Sequence, residues 1–179
     1  MTPRFIVTAI TLALVSVMHA DDNTFVAPKG TYTITQQYAE AWDATLHFRD
    51  ASLGDAPLAA DPDRYPWSAT YLISPDDEWI LRLQKTGSGE NSALLYHVDS
   101  NGQVWRLEQH LDDLAFAVAT AGTHFTRSDY YHMGVNLVSW DTASGRRRLK
   151  IRASAEDRAN PSIDQKVVHD LRKHRMAAE

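Results

Sequence analysis

The sequence predicts a mainly β fold, an antiparallel meander sheet with one or two short helices, with α+β as the alternative. Three observations predict it. Residues 78–84 alternate Trp79, Leu81 and Leu83 against Ile80, Arg82 and Gln84, the two-residue period of a half-buried strand. The middle of the chain is punctuated by turn chemistry: Pro75-Asp76-Asp77, then Thr86-Gly87-Ser88-Gly89-Glu90-Asn91, then Ser100-Asn101-Gly102. A clear helical period occurs at Leu111, Leu114, Ala115 and Val118.

The elements follow in order. Residues 21–30 form an extended lead-in. Thr31 to Tyr38 is rich in β-branched and aromatic residues and predicts a strand. Ala44 to Arg49 predicts a second, with Leu46 and Phe48 on one face. Residues 50–66, with their Asp, Pro and Gly, predict one long ordered loop. Ser68–Ser74, Glu78–Gln84, Ala93–Val98 and Val104–Leu107 then make a four-stranded meander. The helix spans about 110–121, with Asp112 and Asp113 in its first turn, where acids favour the helix dipole, and Gly122 to end it. Gly134–Trp140 and Leu149–Ala153 predict a strand pair. Gln165–Met176 reads as a helix on a Val167, Val168 and Leu171 stripe, or as a last short strand.

The amino end predicts export. Arg4 precedes an apolar run from Phe5 to Val17, broken by Thr8, Thr11 and Ser16, and Asp21-Asp22 follow Ala20. A 13-residue run suits a signal-peptide core and falls short of the roughly 20 residues that span a bilayer. Residues 1–20 are therefore expected to be a cleavable signal peptide and 21–179 a single secreted or periplasmic β-rich domain. No transmembrane segment is expected after cleavage. The chain has no cysteine, which removes disulfides, thiolate nucleophiles, cysteine metal sites and a lipid anchor at the cleavage site. Five tryptophans and seven tyrosines supply much of the apolar area instead.

Charge is uneven. Residues 21–140 carry 7 basic and 17 acidic side chains, and residues 141–179 carry 10 basic and 6 acidic. A basic tail folding back on an acidic body is the first reading; an anionic partner for Arg146, Arg147, Arg148, Lys150 and Arg152 is the second. Nucleic acid is not an expected partner, because the overall charge is negative and no aromatic residues interleave with that cluster.

Residues 68–107 carry a familiar pattern. Ser74-Pro75-Asp76-Asp77-Glu78-Trp79-Ile80 is followed by a polar turn, then by Leu94-Leu95-Tyr96-His97-Val98-Asp99 with Asn101-Gly102. This resembles one blade of a TolB-type β-propeller, whose repeat joins a Ser-Pro-Asp-Gly turn, a tryptophan or apolar strand, and a strand ending in Asp before a Gly turn. Asp77 stands where that repeat has glycine. The resemblance covers about 40 of the 179 residues and implies turns and core, with neither an activity nor a partner attached. A stand-alone meander with the same turn chemistry accounts for the residues as well.

Catalytic motifs are missing. The glycine-rich turn at 86–91 lacks both the strand-to-helix setting of a nucleophile elbow and the Gly-Lys-Ser/Thr of a phosphate loop. Its Ser88, Glu90 and Asn91 are expected at an exposed hairpin tip, with Trp67 and Trp105 nearby as stacking surfaces. Those five residues are the expected contact surface of a non-enzymatic binding or interaction domain for a protein or small ligand. The alternative is a small secreted hydrolase in which His124, Asp129 and His132 hold a metal or act directly. No motif calls for an organic cofactor.

Overall fold

The computed structural model describes residues 23–38, 42–58, 66–142, 147–157 and 159–179. The expected leader at 1–20, and Arg146 of the basic cluster, lie outside the described residues. The fold is mainly β, with three antiparallel sheets of four consecutive strands each. The first sheet contains β1 (Asn23–Val26), β2 (Tyr32–Tyr38), β3 (Trp42–Phe48) and β4 (Asp55–Pro57). The second contains β5 (Ala69–Ile73), β6 (Trp79–Gly87), β7 (Glu90–Val98) and β8 (Val104–Arg106). After α1 (Leu111–Ala119), the third contains β9 (Tyr131–Asp141), β10 (Arg148–Glu156), β11 (Ile163–Asp170) and β12 (Arg175–Ala178).

The second sheet is the middle layer. Its Tyr71, Ile80, Leu94 and Tyr96 pack with Tyr32, Ile34 and Leu46 of the first sheet. Its opposite face sends Trp79, Leu81 and Leu95 against Leu111 and Ala115 of α1 and Leu149, Ile151 and Val167 of the third sheet. Strand β6 is thus covered on both faces rather than half-buried, and its polar positions Arg82 and Gln84 are interior, 3 % and 1 % exposed. Period-2 alternation marks a strand correctly but does not say whether its polar face meets water or another sheet.

One other expectation needs correction, and at 165–176 the strand reading is the one realised. The segment 50–66 is not a loop throughout: Ala51–Leu53 is a 3-10 turn and Asp55–Pro57 pairs with β3 through Leu46↔Ala56. Residues 165–176 are not helical. Val167, His169 and Leu171 recur at every second position, all buried, and the hairpin β11–β12 extends the edge of β10. Helix α1 forms where expected. Its Asp112, buried at the first turn, accepts the Ala93 N–H of β7 at 2.9 Å and ties the helix to the middle sheet.

Asp77 joins the first two sheets. Its φ is +64°, the left-handed conformation that glycine adopts without penalty and other L-residues adopt at a cost. Asp77 thus takes the backbone shape that glycine favours. What the carboxylate adds is reach: it accepts from the Lys29 N–H at 3.1 Å, the Thr31 hydroxyl at 2.6 Å and the Thr31 N–H at 3.4 Å, while the Tyr32 phenol donates to the Asp77 carbonyl at 3.1 Å. The first turn of sheet one is therefore bound to the β5–β6 turn of sheet two. At Gly102, φ is +76° and an added Cβ would meet the Leu53 Cβ at 3.0 Å, so the β7–β8 turn is also pressed against the first sheet.

His169 is 0 % exposed, and neither ring nitrogen has a hydrogen-bond partner among the described residues. Burial, with His174 nearby, holds its pKa down to about 4. The unfolded chain therefore takes up a proton near pH 6.5, while the native state takes it up only near pH 4. Stability is lost as pH falls through that window, by at most about 3 kcal/mol. His169→Leu is expected to flatten the fall in urea midpoint between pH 6.5 and 4. At Asp77, Asp77→Gly relieves the left-handed backbone yet removes the clasp. We expect it to cost about 2 kcal/mol, and Asp77→Ala about 1 kcal/mol more, read by urea unfolding.

Candidate functional site

Where the Asp77 clasp meets the ends of the strands, the first two sheets leave a cleft of about 770 Å³. Tyr32, Phe48, Leu53 and Val98 give it an apolar floor, with Tyr32 and Phe48 edge to face at 5.9 Å. Asp50, Asp76, Asp77, Glu78 and Asp99 line it against one arginine, Arg49. Each carboxylate is placed by local chemistry. Asp50 caps the 3-10 turn through the Ser52 N–H at 3.0 Å and the Ser52 hydroxyl, bonds that hold its pKa below the usual carboxylate range. Asp76 accepts the Ser74 hydroxyl, and Asp99 accepts the Asn101 and Gln103 N–H groups at 2.9 and 2.8 Å. Arg147, beside the third sheet, pairs with Asp76 and with Glu78, the latter at 3.0 Å. Of the basic cluster Arg147 reaches the acidic body, while Lys150 pairs with Glu179 and Arg152 with Asp164 inside the carboxy-terminal segment.

His97 also lines the cleft, and its ring lies between two indoles. Trp79, His97 and Trp105 are partners across β6, β7 and β8, with ring centroids 4.5 Å and 5.6 Å apart; the outer pair is stacked at 13°. Trp105 is 46 % exposed. Alternation puts this row on the opposite face of the sheet from Tyr96 and Val98, so row and cleft meet only at His97. The site thus offers a negative field, an apolar floor and an exposed indole beside it. Its carboxylates are mostly engaged as turn acceptors.

The expected contact residues land in two places. Trp67 and the tip residues Ser88, Glu90 and Asn91 lie at one end of the middle sheet, while Trp105 lies seven residues away along β6, roughly 23 Å. They do not form one surface. The tip is moreover docked on β9. Asn91 donates to the Val135 carbonyl at 3.0 Å and accepts the Val135 N–H at 2.9 Å, Glu90 accepts the His132 N–H at 3.2 Å, and the His132 ring bonds the Ser88 carbonyl. Gly89, with φ +75°, leaves the room that the His132 ring occupies. Trp67 is 39 % exposed, with the Lys85 ammonium 5.2 Å from its ring centre.

The expected metal or hydrolytic trio is not assembled. His132 is turned to the Ser88 carbonyl. The Asp129 carboxylate accepts the Thr126 N–H and hydroxyl at 2.6 and 2.7 Å, bonds that, with His124 adding to them, hold its pKa low. His124 lies against Phe125 at 4.1 Å. Among the described residues no group of three His, Asp or Glu side chains is close enough to share a metal ion. The residues that sequence reasoning missed are His97, Asp50 and Asp99. Nothing local to the acidic turn at 76–78 tells that a cleft opens there.

No family model, curated protein or solved structure matches this chain. What the fold defines is a class: a cysteine-free, mainly β chain of three stacked four-stranded antiparallel sheets. No helix among the described residues is long and apolar enough to cross a membrane.

Asn91→Ala removes both bonds to Val135 and leaves two backbone groups short of a partner. A loss of about 2 kcal/mol is expected in urea unfolding, and hydrogen exchange of the Val135 amide should accelerate more than that of Ile80.

Proposed function

We propose that this chain is an exported, non-enzymatic binding domain whose ligand-contacting surface is the cleft between the first two sheets. The observation that carries the reading is the lining: five carboxylates around an apolar floor, against Arg49 and against Arg147, which pairs with Asp76 and Glu78. Such a pocket favours a cation carried on an apolar stem, the chemistry of a lysine or arginine side chain presented by a partner peptide. The wide span of acidic charge over residues 21–140 supports it, because a field of one sign raises the local concentration of an oppositely charged partner. Export rests on the pattern at residues 1–20, and the likeness of 68–107 to a propeller blade bears on scaffold alone.

The test is calorimetric titration of the protein with an arginine- and lysine-rich octapeptide and with its glutamate-substituted counterpart. The cationic peptide should bind, weaken at least tenfold between 20 and 300 mM salt, and lose about threefold in affinity on Asp50→Asn. Amide shifts in the NMR spectrum should concentrate at Phe48, Asp50, His97 and Asp99. Equal binding of both peptides, or shifts centred on Trp67 and the β6–β7 turn, would sink the assignment of the cleft. Mass spectrometry of the extracytoplasmic fraction, expected to begin at Asp21, checks export separately.

A further inference from the structure

A second polar feature lies between the same two sheets, toward the other end of β6, and it is independent of the cleft. Arg82 is 3 % exposed. Its Nη2 donates to the Gln84 side-chain oxygen at 2.8 Å, and its guanidinium carbon stands 5.8 Å from the centre of the Tyr71 ring. The Nε and Nη1 groups are fully buried and have no acceptor among the described residues. Nor do the Tyr71 hydroxyl or the Ser92 hydroxyl have a partner among the described residues, although both residues are at most 5 % exposed.

These groups are close by construction. Tyr71 pairs with Arg82 across β5 and β6, and Gln84 pairs with Ser92 in the next row of the same face. Adjacent strands lie about 4.8 Å apart and same-face rows about 7 Å apart. The amides around them are occupied. Gln84 donates to the Trp67 and Lys85 carbonyls, and Gln36 of the first sheet exchanges two bonds with the Ala69 backbone. Tyr71 stays protonated, since burial drives its pKa well up. The phenol therefore donates and supplies no counter-charge.

A guanidinium cannot neutralise by losing its proton, and a buried unpaired charge is strongly unfavourable. Water would meet the donors but leave the charge. A small anion on one edge of the guanidinium meets both needs at once, with the Tyr71 and Ser92 hydroxyls as further donors. We propose that Arg82, Tyr71 and Ser92 enclose a site for a small monovalent anion of the halide class between the first two sheets.

Crystals soaked in sodium bromide and measured at the bromine absorption edge should show an anomalous peak within hydrogen-bond distance of Arg82. In solution, the midpoint of thermal unfolding should be higher in sodium chloride or bromide than in sodium gluconate of equal ionic strength. The gain should be roughly 5–10 °C at a hundredfold excess over Kd. Arg82→Met should abolish the halide dependence. If that variant does not fold, Ser92→Ala should weaken apparent halide binding several-fold while leaving stability in gluconate little changed. Water alone, or a carboxylate of the chain, against Arg82 in the bromide crystal would overturn the site, as would equal midpoints in halide and gluconate. A halide-dependent midpoint with no anomalous peak at Arg82 would overturn it too.

Discussion

The carboxylate of Asp77 reaches from the β5–β6 turn to the first turn of the first sheet, and the arrangement of two of the three sheets depends on it. A sheet with one apolar face must cover that face, but burial has no direction; it does not select where along the partner the sheet will sit. Hydrogen bonds from Lys29 and Thr31 to one buried carboxylate supply that direction, because they are met at one relative placement of the two turns. The left-handed backbone at Asp77 is the local cost of that placement, and the Tyr32 phenol closing on the same residue's carbonyl reinforces it. The cleft beside the clasp follows: the turn that carries Asp77 also carries Asp76 and Glu78 to its edge.

The other side of the middle sheet is fastened by the same kind of device. Asn91 offers β9 a side-chain amide in place of a strand backbone, and Asp112 does the equivalent between α1 and β7. In a chain without disulfides, side chains that bond to backbone across sheets register the layers while apolar contacts hold them together. This explains why the β6–β7 turn is not a free tip. Its glycines and short polar residues admit close approach by the His132 ring rather than by a ligand.

Much of the fold was legible and little of the site. The strands expected at 31–38, 78–84 and 93–98, the Asn101-Gly102 turn and the helix expected over about 110–121 follow from period and turn chemistry, which act over a few residues; the middle hairpin runs further, to Gly87 and from Glu90, than its turn residues suggested. The segment 165–176 was ambiguous because Val167, Val168 and Leu171 satisfy a helical stripe, while Val167, His169 and Leu171 satisfy alternation; the open edge of β10 decides between them. The reach of Asp77 could not be read locally, because the turn of Lys29 and Thr31, some 46 residues away, is invisible to any local pattern. The separation of Trp105 from Trp67 likewise follows from strand direction, which residue type does not encode.

Taken by itself, the sequence determined the mainly β class, the positions of most strands, the turns that join neighbours and the absence of thiol chemistry. Local propensities and a two-residue period act within one hairpin, so they carry that information in full. Tertiary structure alone decided that β6 is covered on both faces, that Arg82 lies inside, that Arg147 returns to the 76–78 turn and that a cleft opens beside Asp77. Each of these depends on which layer meets which face, and that choice is made by contacts between residues tens of positions apart.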